Sequence, residues 1–191
     1  KVASTVKFRH EGVRINLGGI AKGYVVERGV DILRRYGVSN AIVTAGGDSR
    51  LLGDRRGRPW IVGIRDPREE GRVAISVPLV DEAVSTSGDY ERYFVLDGRR
   101  YHHILDPRDG YPTRETTSVT VLGAEAALAD AAATALFIAG PDDWHRLARQ
   151  MGVRYVLLTD TNGRVHMNPA MQARVKLQHS NHKVIISEPL A

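Results

Sequence analysis

Apolar positions along the chain form short runs, separated by clusters of polar and turn-forming residues. Their helical spacing over 20–36 predicts a helix that Gly37 ends, and an alanine-rich run over 124–139 predicts a second. Gly140 and Pro141 end that second run, and Pro141 begins a third predicted helix over 141–151. The predicted strands cover residues 2–8, 14–17, 40–44, 60–64, 73–80, 83–86, 93–96, 100–105, 117–122, 153–159, 164–167 and 184–186. This order predicts an α/β fold in which mixed sheets are flanked by helices.

Composition is typical of one globular domain, which we assign to 1–191. The hydrophobic fraction is 42% and the charged fraction 26%, so the chain can bury a core. The net charge is +5, but arginines alternate with acids, and we therefore expect no nucleic-acid binding. The chain has no cysteine, which excludes disulfides, thiolate metal sites and cysteine nucleophiles. No apolar run approaches the ~20 residues of a membrane span.

Hydroxyls, carboxylates, aromatics and two histidines are concentrated between 84 and 107, a mixture typical of a polar ligand site. Two glycine pairs, Gly18-Gly19 and Gly46-Gly47, interrupt the pattern beside predicted strand ends, where backbone N–H groups attract anions. Lys22 falls in the first turn of a predicted helix, where a cation opposes the helix dipole unless an anion lies nearby. Ordinary tight turns and a solvated lysine remain the alternative.

Two further patterns carry candidate chemistry. Asp130 and Thr134 lie four apart on one face of an apolar helix, and their oxygens suit Mg²⁺ or Ca²⁺. The alternative is that Asp130 accepts hydrogen bonds from an arginine while Thr134 bonds its own helix. His102 and His103 lie on a predicted strand and point to opposite faces, so at most one of them faces a site.

Five segments together resemble the ApbE family of FAD:protein FMN transferases. They are LGGIAKGY at 17–24, GGD at 46–48, TSGDY at 86–90, YHHILDPRDGYP at 101–112 and ADAAATA at 129–135. The resemblance implies the α/β fold of that family. It also implies a magnesium-dependent enzyme that attaches the FMN part of FAD to a Ser or Thr hydroxyl of a partner flavoprotein and releases AMP.

Site residues are carried over from that resemblance position by position. Asp130, Thr134 and the carbonyl of Gly19 are the implied Mg²⁺ ligands, and His103 and Asp130 are the implied catalytic residues. The implied FAD site comprises Gly18, Gly19, Lys22, Gly46, Gly47, Asp48, Ser87 and Asp89.

Two other functions remain open at this point: an FAD pyrophosphatase that passes FMN to water, and a flavin-binding module without catalysis. Retained Asp130, Thr134 and His103 argue against the module, because binding alone needs no base. Family members carry a further N-terminal portion, so we expect this chain to be a fragment or a processed chain. The resemblance also leads us to expect a periplasmic or exported protein, with membrane anchoring through a segment outside this chain.

Overall fold

A computed structural model describes residues 5–178 and 183–190. In chain order the elements are α1 (Ala21–Arg35), β1 (Ala41–Ala45), β2 (Asp48–Leu52), β3 (Trp60–Arg65), β4 (Val73–Leu79), β5 (Ala83–Gly88), β6 (Tyr93–Leu96), β7 (Arg99–His102), β8 (Thr116–Gly123), α2 (Ala126–Met151), β9 (Tyr155–Asp160), β10 (Val165–Met167), α3 (Pro169–Gln172), β11 (Lys176–Leu177) and β12 (Val184–Ile186). None of the described helices combines the length and the apolar character needed to cross a bilayer.

A seven-stranded sheet in the order β1-β2-β5-β8-β9-β10-β12 forms the centre of the fold. Neighbouring strands within this sheet pair antiparallel, except that β10 and β12 run parallel. Strand β8 is central, and seven of its eight residues are buried because both faces of the sheet are covered. Mixed strand directions with helices on one face confirm the predicted fold class.

Two apolar cores lie on opposite faces of this sheet. One joins the sheet to α1 and α2 and includes Val26, Val119 and Phe137. The other joins it to a three-stranded sheet, ordered β11-β4-β3, and includes Val77 and Leu157. The layers are therefore helices, large sheet and small sheet, and a separate hairpin of β6 and β7 lies beside them.

Helix α2 is broken at Gly140, whose φ of 76° and ψ of 179° are not helical. Pro141 follows, and its missing N–H and fixed φ suit the first position of a new helical segment. The helix–break–helix pattern predicted over 124–151 is confirmed, with the first half beginning at Ala126.

Most predicted strands are present, but two predictions at the N-terminus are wrong. Residues 5–8 and 14–17 form no strand in the structure, while residues 2–4 of the first predicted strand lie outside the described residues. Among the described residues neither segment has a neighbouring strand to complete its backbone hydrogen bonds, which an isolated apolar run does not reveal. The structure adds β2, α3 and β11, which were not predicted.

Candidate active site

A tight turn sets the start of α1 and the position of Lys22. The Leu17 carbonyl accepts hydrogen bonds from the backbone N–H groups of Ile20 and Ala21, at 3.0 and 2.8 Å. The Asn16 side chain accepts a 2.7 Å hydrogen bond from Gly18 N–H. No side chain caps the helix, so Lys22 occupies an uncapped first turn and needs compensating anions.

Lys22 bridges two buried carboxylates. Its Nζ lies 2.8 Å from Asp130 Oδ1 and 3.0 Å from Asp48 Oδ2, although the second contact is an ion pair without hydrogen-bond alignment. Asp130 is 0% exposed and Asp48 1% exposed. One ammonium between two carboxylates leaves one formal negative charge in a buried place, which favours a further cation. We call Lys22, Asp48 and Asp130 the acidic cluster.

Burial and hydrogen bonds set the proton affinities in the acidic cluster. Burial raises the pKa of Asp48, as does the neighbouring Asp130 charge, and the Ser85 hydroxyl and Lys22 oppose this rise. Ser85 Oγ donates to Asp48 Oδ1 at 2.5 Å. For Lys22, burial acts to lower the pKa, but hydrogen bonds and charges from both aspartates outweigh it, and the pKa is raised. The lysine therefore stays charged.

Gly23 allows α1 to approach α2 closely. Its N–H donates a 2.9 Å hydrogen bond to Asp130 Oδ2, while a Cβ at this position would lie 2.2 Å from the Ala126 carbonyl oxygen. Only glycine fits such a contact. Gly23 was not among the predicted site residues, although a glycine inside a helix, which costs about 1 kcal/mol relative to alanine, signals a close contact.

Glu27 is a second residue that the sequence analysis missed. Its Oε2 accepts a 2.8 Å hydrogen bond from Ala126 N–H, so a side chain of α1 caps the start of α2. Its Oε1 also pairs with the buried Arg50 at 3.3 Å. These contacts fix α2, and therefore Asp130, against α1.

Thr134 lies one turn after Asp130 and meets two other predicted residues. Its Oγ1 is 3.1 Å from Ser87 Oγ, and a Cβ built on Gly19 would lie 3.8 Å from the same atom. The alternative in which Asp130 accepts from an arginine while Thr134 bonds its own helix is therefore wrong in both parts, because Asp130 pairs with Lys22 and Thr134 bonds Ser87 across the fold.

The oxygen atoms near Thr134 are suitable ligands for a hard divalent cation. A carboxylate, a hydroxyl and the adjacent Gly19 backbone offer the oxygen ligands that Mg²⁺ prefers. Within residues 5–178 and 183–190, no group of three His, Cys, Asp or Glu side chains is placed to hold a metal. A cation here therefore depends on the Thr134 hydroxyl and on backbone carbonyls as well as on Asp130.

The Gly46-Gly47 pair forms the hairpin turn between β1 and β2. A Cβ on Gly46 would lie 3.1 Å from Lys22 Cδ, so this turn leaves room for the lysine side chain to pass. Asp48 then begins β2. The turn therefore lies against the acidic cluster with the shape of an ordinary hairpin, and its role as a ligand loop stays a prediction.

Asp89 belongs to a different cluster. Its two oxygens accept hydrogen bonds from Arg68 at 2.8 Å each, and Arg100 Nη1 lies 3.4 Å away. The hydrogen bonds that Arg68 donates to Asp89 raise the pKa of Arg68, against the effect of burial. We call Arg68, Asp89 and Arg100 the arginine clamp, because it ties the loop after β3 and the hairpin of β6 and β7 to the end of β5. The flavin-binding role of Asp89 stays a prediction.

The two adjacent histidines, His102 and His103, differ in how many of their ring nitrogens have a hydrogen-bond partner. His102 is buried, its Nε2 lies 2.8 Å from the Thr113 carbonyl, and its Nδ1 accepts from Ile104 N–H at 3.3 Å. Burial lowers the pKa of His102, with the Thr113 carbonyl acting in the opposite direction. Both nitrogens of His102 are engaged, so it is a structural residue.

His103 is exposed and lies just after β7, so the predicted strand over 100–105 ends before it. Its Nδ1 lies 3.3 Å from the Arg92 carbonyl, which can only accept, so this contact favours the tautomer protonated at Nδ1. Within the described residues Nε2 has no hydrogen-bond partner, and it keeps the lone pair that a general base uses. No hydrogen bond or ion pair among those residues joins His103 to the acidic cluster.

The sequence model of the ApbE family matches residues 1–157. The chain belongs to the ApbE family. An FAD:protein FMN transferase of Rhodobacter capsulatus is 45% identical over 173 residues, which is 91% of this chain and 33% of that protein. An FAD:protein FMN transferase of Klebsiella pneumoniae is 34% identical over 95% of this chain and 56% of its own length.

Solved ApbE structures share the fold. The ApbE protein of Thermotoga maritima has a TM-score of 0.80 and 43% identity, over 86% of this chain and 54% of that one. The apo flavinyl transferase ApbE of Pseudomonas stutzeri has a TM-score of 0.71 and 34% identity, over 84% of this chain and 51% of that one. This ApbE chain thus spans between a third and somewhat over half of the proteins it matches.

Proposed function

We propose that this chain carries the chemistry of an FAD:protein FMN transferase. The hydroxyl oxygen of a Ser or Thr in a partner flavoprotein bonds to the phosphorus on the FMN side of the FAD diphosphate. The bond from that phosphorus to the bridging oxygen breaks, AMP leaves with the electron pair, and the hydroxyl proton passes to a base. A periplasmic or exported location, with membrane anchoring through a segment outside this chain, belongs to the same proposal.

The acidic cluster is the observation that carries this proposal. Asp130 lies one helical turn before Thr134, whose hydroxyl is close to Gly19, and Asp130, Thr134 and the Gly19 carbonyl together would hold Mg²⁺. When bound, Mg²⁺ would neutralise part of the negative charge on the diphosphate of FAD. Lys22 is a second cation at the same place, and the Ser87 hydroxyl positions Thr134.

His103 is the candidate base for the incoming hydroxyl. A threonine hydroxyl is a weak nucleophile at neutral pH and needs a proton acceptor. The Arg92 carbonyl holds the Nδ1 proton, and so Nε2 is the atom that would take the proton. His102 lacks this capacity because both of its nitrogens are engaged.

Mass spectrometry of the chain with FAD, Mg²⁺ and a threonine-containing acceptor peptide tests the function. The expected result is FMN mass on the peptide with release of AMP. Free FMN and AMP beside an unmodified peptide would identify an FAD pyrophosphatase instead. FAD that binds but stays intact would contradict both catalytic functions and leave a flavin-binding module.

Substitution of His103 tests the base. We expect His103→Ala to lower transfer by about 10²–10⁴-fold, the usual contribution of general-base catalysis, with FAD affinity unchanged by fluorescence titration. His102→Ala is the matched control, and it should lower the thermal midpoint because it leaves the Thr113 carbonyl and Ile104 N–H without partners. Loss of FAD binding in His103→Ala would contradict the assignment of His103 as a base.

A further inference from the structure

Two hydrogen bonds join α1 and α2 one helical turn apart. Gly23 N–H donates to Asp130 Oδ2 at 2.9 Å, and Glu27 Oε2 accepts from Ala126 N–H at 2.8 Å. The two α1 residues are four apart in sequence, as are the two α2 residues, so each pair lies on one helix face. Their order reverses between the helices, which therefore run antiparallel at this contact. A slide of either helix along its axis would break both bonds, so the two bonds fix the register of the helices.

The second of these bonds is the side-chain cap of α2. The N-cap residue of that helix, Glu125, makes no capping hydrogen bond with its own side chain. Among the described residues, the Ala126 N–H has no hydrogen-bond partner other than Glu27. The first N–H groups of a helix have no acceptor within the helix and need one from elsewhere. Glu27 therefore supplies, from another helix, the capping acceptor that the N-cap residue does not.

Arg50 of β2 holds the Glu27 side chain from the other side. Its Nε lies 3.3 Å from Glu27 Oε1, and the Arg50 side chain is 5% exposed. Arg50 is two residues after Asp48, so both side chains point to the same face of β2. On that face Asp48 contacts Lys22 of α1, as Arg50 contacts Glu27 of the same helix. Glu27 thus joins α1, β2 and α2, and each of these three elements carries one member of the acidic cluster.

We infer that Glu27 is a positioning residue for Asp130. Within the described part of the chain, Glu27 has no hydrogen bond or ion pair with any proposed Mg²⁺ ligand, and it acts through Ala126, one turn before Asp130. By fixing the register of α2 against α1, it sets the Asp130 carboxylate relative to Gly19, which lies just before α1. Removing a group that orients a metal ligand typically weakens metal binding by about 10–100-fold. The inference rests on the proposed function for Mg²⁺ as the cation.

Two substitutions of Glu27 separate the cap from the ion pair. Glu27→Ala removes both contacts. Glu27→Gln keeps one acceptor oxygen, and we expect it to face the Ala126 N–H, because Arg50 has further acceptors in the Leu51 carbonyl and Asp81. The glutamine variant should therefore keep the register of the helices while losing the ion pair.

Glu82→Ala is the matched control for lost stability. The Glu82 side chain is 22% exposed, against 24% for Glu27, and its carboxylate likewise pairs with an arginine, Arg174, at 2.8 Å. Among the described residues, its side chain makes no hydrogen bond with α1 or α2. Urea denaturation of the four proteins without Mg²⁺ measures their stability. Thermal midpoints over a series of Mg²⁺ concentrations, without FAD, give an apparent dissociation constant for Mg²⁺ in each.

We expect Glu27→Ala to bind Mg²⁺ about tenfold more weakly, and Glu27→Gln and Glu82→Ala to stay within about twofold of the unchanged chain, although all three variants lose stability. Unchanged Mg²⁺ affinity in Glu27→Ala would overturn the inference and leave the proposed function standing. Equal weakening in Glu27→Gln or Glu82→Ala would also overturn it, because the cap would then not be the cause.

Absence of Mg²⁺ binding in all four proteins would contradict the proposed metal site and the inference with it. The expected order of Mg²⁺ affinities without FMN transfer by the unchanged chain would support the positioning role of Glu27 while contradicting the proposed function.

Discussion

Two ionic clusters in this fold have opposite composition. In the acidic cluster one lysine serves two carboxylates, whereas in the arginine clamp two guanidiniums serve the single carboxylate of Asp89. Both hold distant parts of the chain together. Only the first leaves a negative charge in a fully buried place, because Asp130 and Asp48 are both inaccessible while Arg68 is about half exposed. A buried cluster with an uncompensated negative charge suits a further cation, whereas the arginine clamp, with its excess of positive charge, does not.

Removing Asp130 should have the largest effect. We expect Asp130→Ala to lower FMN transfer by about 10²-fold or more, because the variant loses the only carboxylate among the proposed Mg²⁺ ligands. The Mg²⁺-induced rise in thermal midpoint should disappear as well. Calorimetry with and without Mg²⁺ measures it, and an unchanged Mg²⁺ titration would reject the metal assignment.

Removing Lys22 should enlarge the rise in thermal midpoint that Mg²⁺ causes, whereas removing Asp130 abolishes it. Lys22→Met leaves two buried carboxylates facing each other, and we expect the free energy of unfolding to fall by about 1–3 kcal/mol without Mg²⁺, a range that allows for the partly exposed lysine. Mg²⁺ should then raise the thermal midpoint more than in the unchanged chain. An equal or smaller Mg²⁺ effect would mean that Lys22 and the metal do not share Asp130.

Removing the carboxylate of the arginine clamp should lower the free energy of unfolding by a smaller amount, and this loss should not depend on Mg²⁺. We expect Asp89→Asn to lower the free energy of unfolding by about 1 kcal/mol, because an amide accepts only one of the two Arg68 hydrogen bonds and Arg68 is partly solvated. Urea denaturation measures this. Glu91→Gln, which breaks the exposed pair with Arg65, is the control and should change little. A Mg²⁺-dependent loss in Asp89→Asn would place Asp89 in the cation site.

The smallest effect should appear as a pH dependence. The folded pKa of Asp48 is raised above its ordinary value of 3.8, so the folded state binds its proton more tightly than the unfolded state. Its contribution to stability is therefore present below pH 3.8 and is lost as pH rises through the raised pKa. As pH rises from 3.8 through the raised pKa, the free energy of unfolding of the unchanged chain should fall relative to that of Asp48→Asn. A difference that stays constant with pH would contradict the raised pKa.

Sequence patterns correctly predicted the helices, turns and breaks whose conformation depends on residues that are neighbours in the chain. The helical spacing of α1 and the break at Gly140 both depend on residues close in sequence. Strand β2 was missed because Asp48, Ser49 and Arg50 are polar. The structure buries Asp48 and Arg50 against partners from other elements, Ser85 for Asp48 and Glu27 for Arg50.

The site itself was accessible only in part. The spacing of Asp130 and Thr134 placed both on one helix face, and the family resemblance supplied their role. Lys22 is 108 residues from Asp130, and no periodicity shows that the two meet. Gly23 and Glu27 were missed for the same reason, because each acts through a contact with α2 about a hundred residues away.

The break at Gly140 separates the two halves of α2 in a way that matters for how this chain tolerates change. In an unbroken helix, inserting one residue rotates everything beyond it by about 100°. Here the backbone of Gly140 leaves the helical conformation and Pro141 starts a new segment, so the second half has its own register. The position of the second half is therefore set by its own packing, which buries Trp144 and Ala148 in the same core as Phe137, and not by the register of the half that carries Asp130 and Thr134.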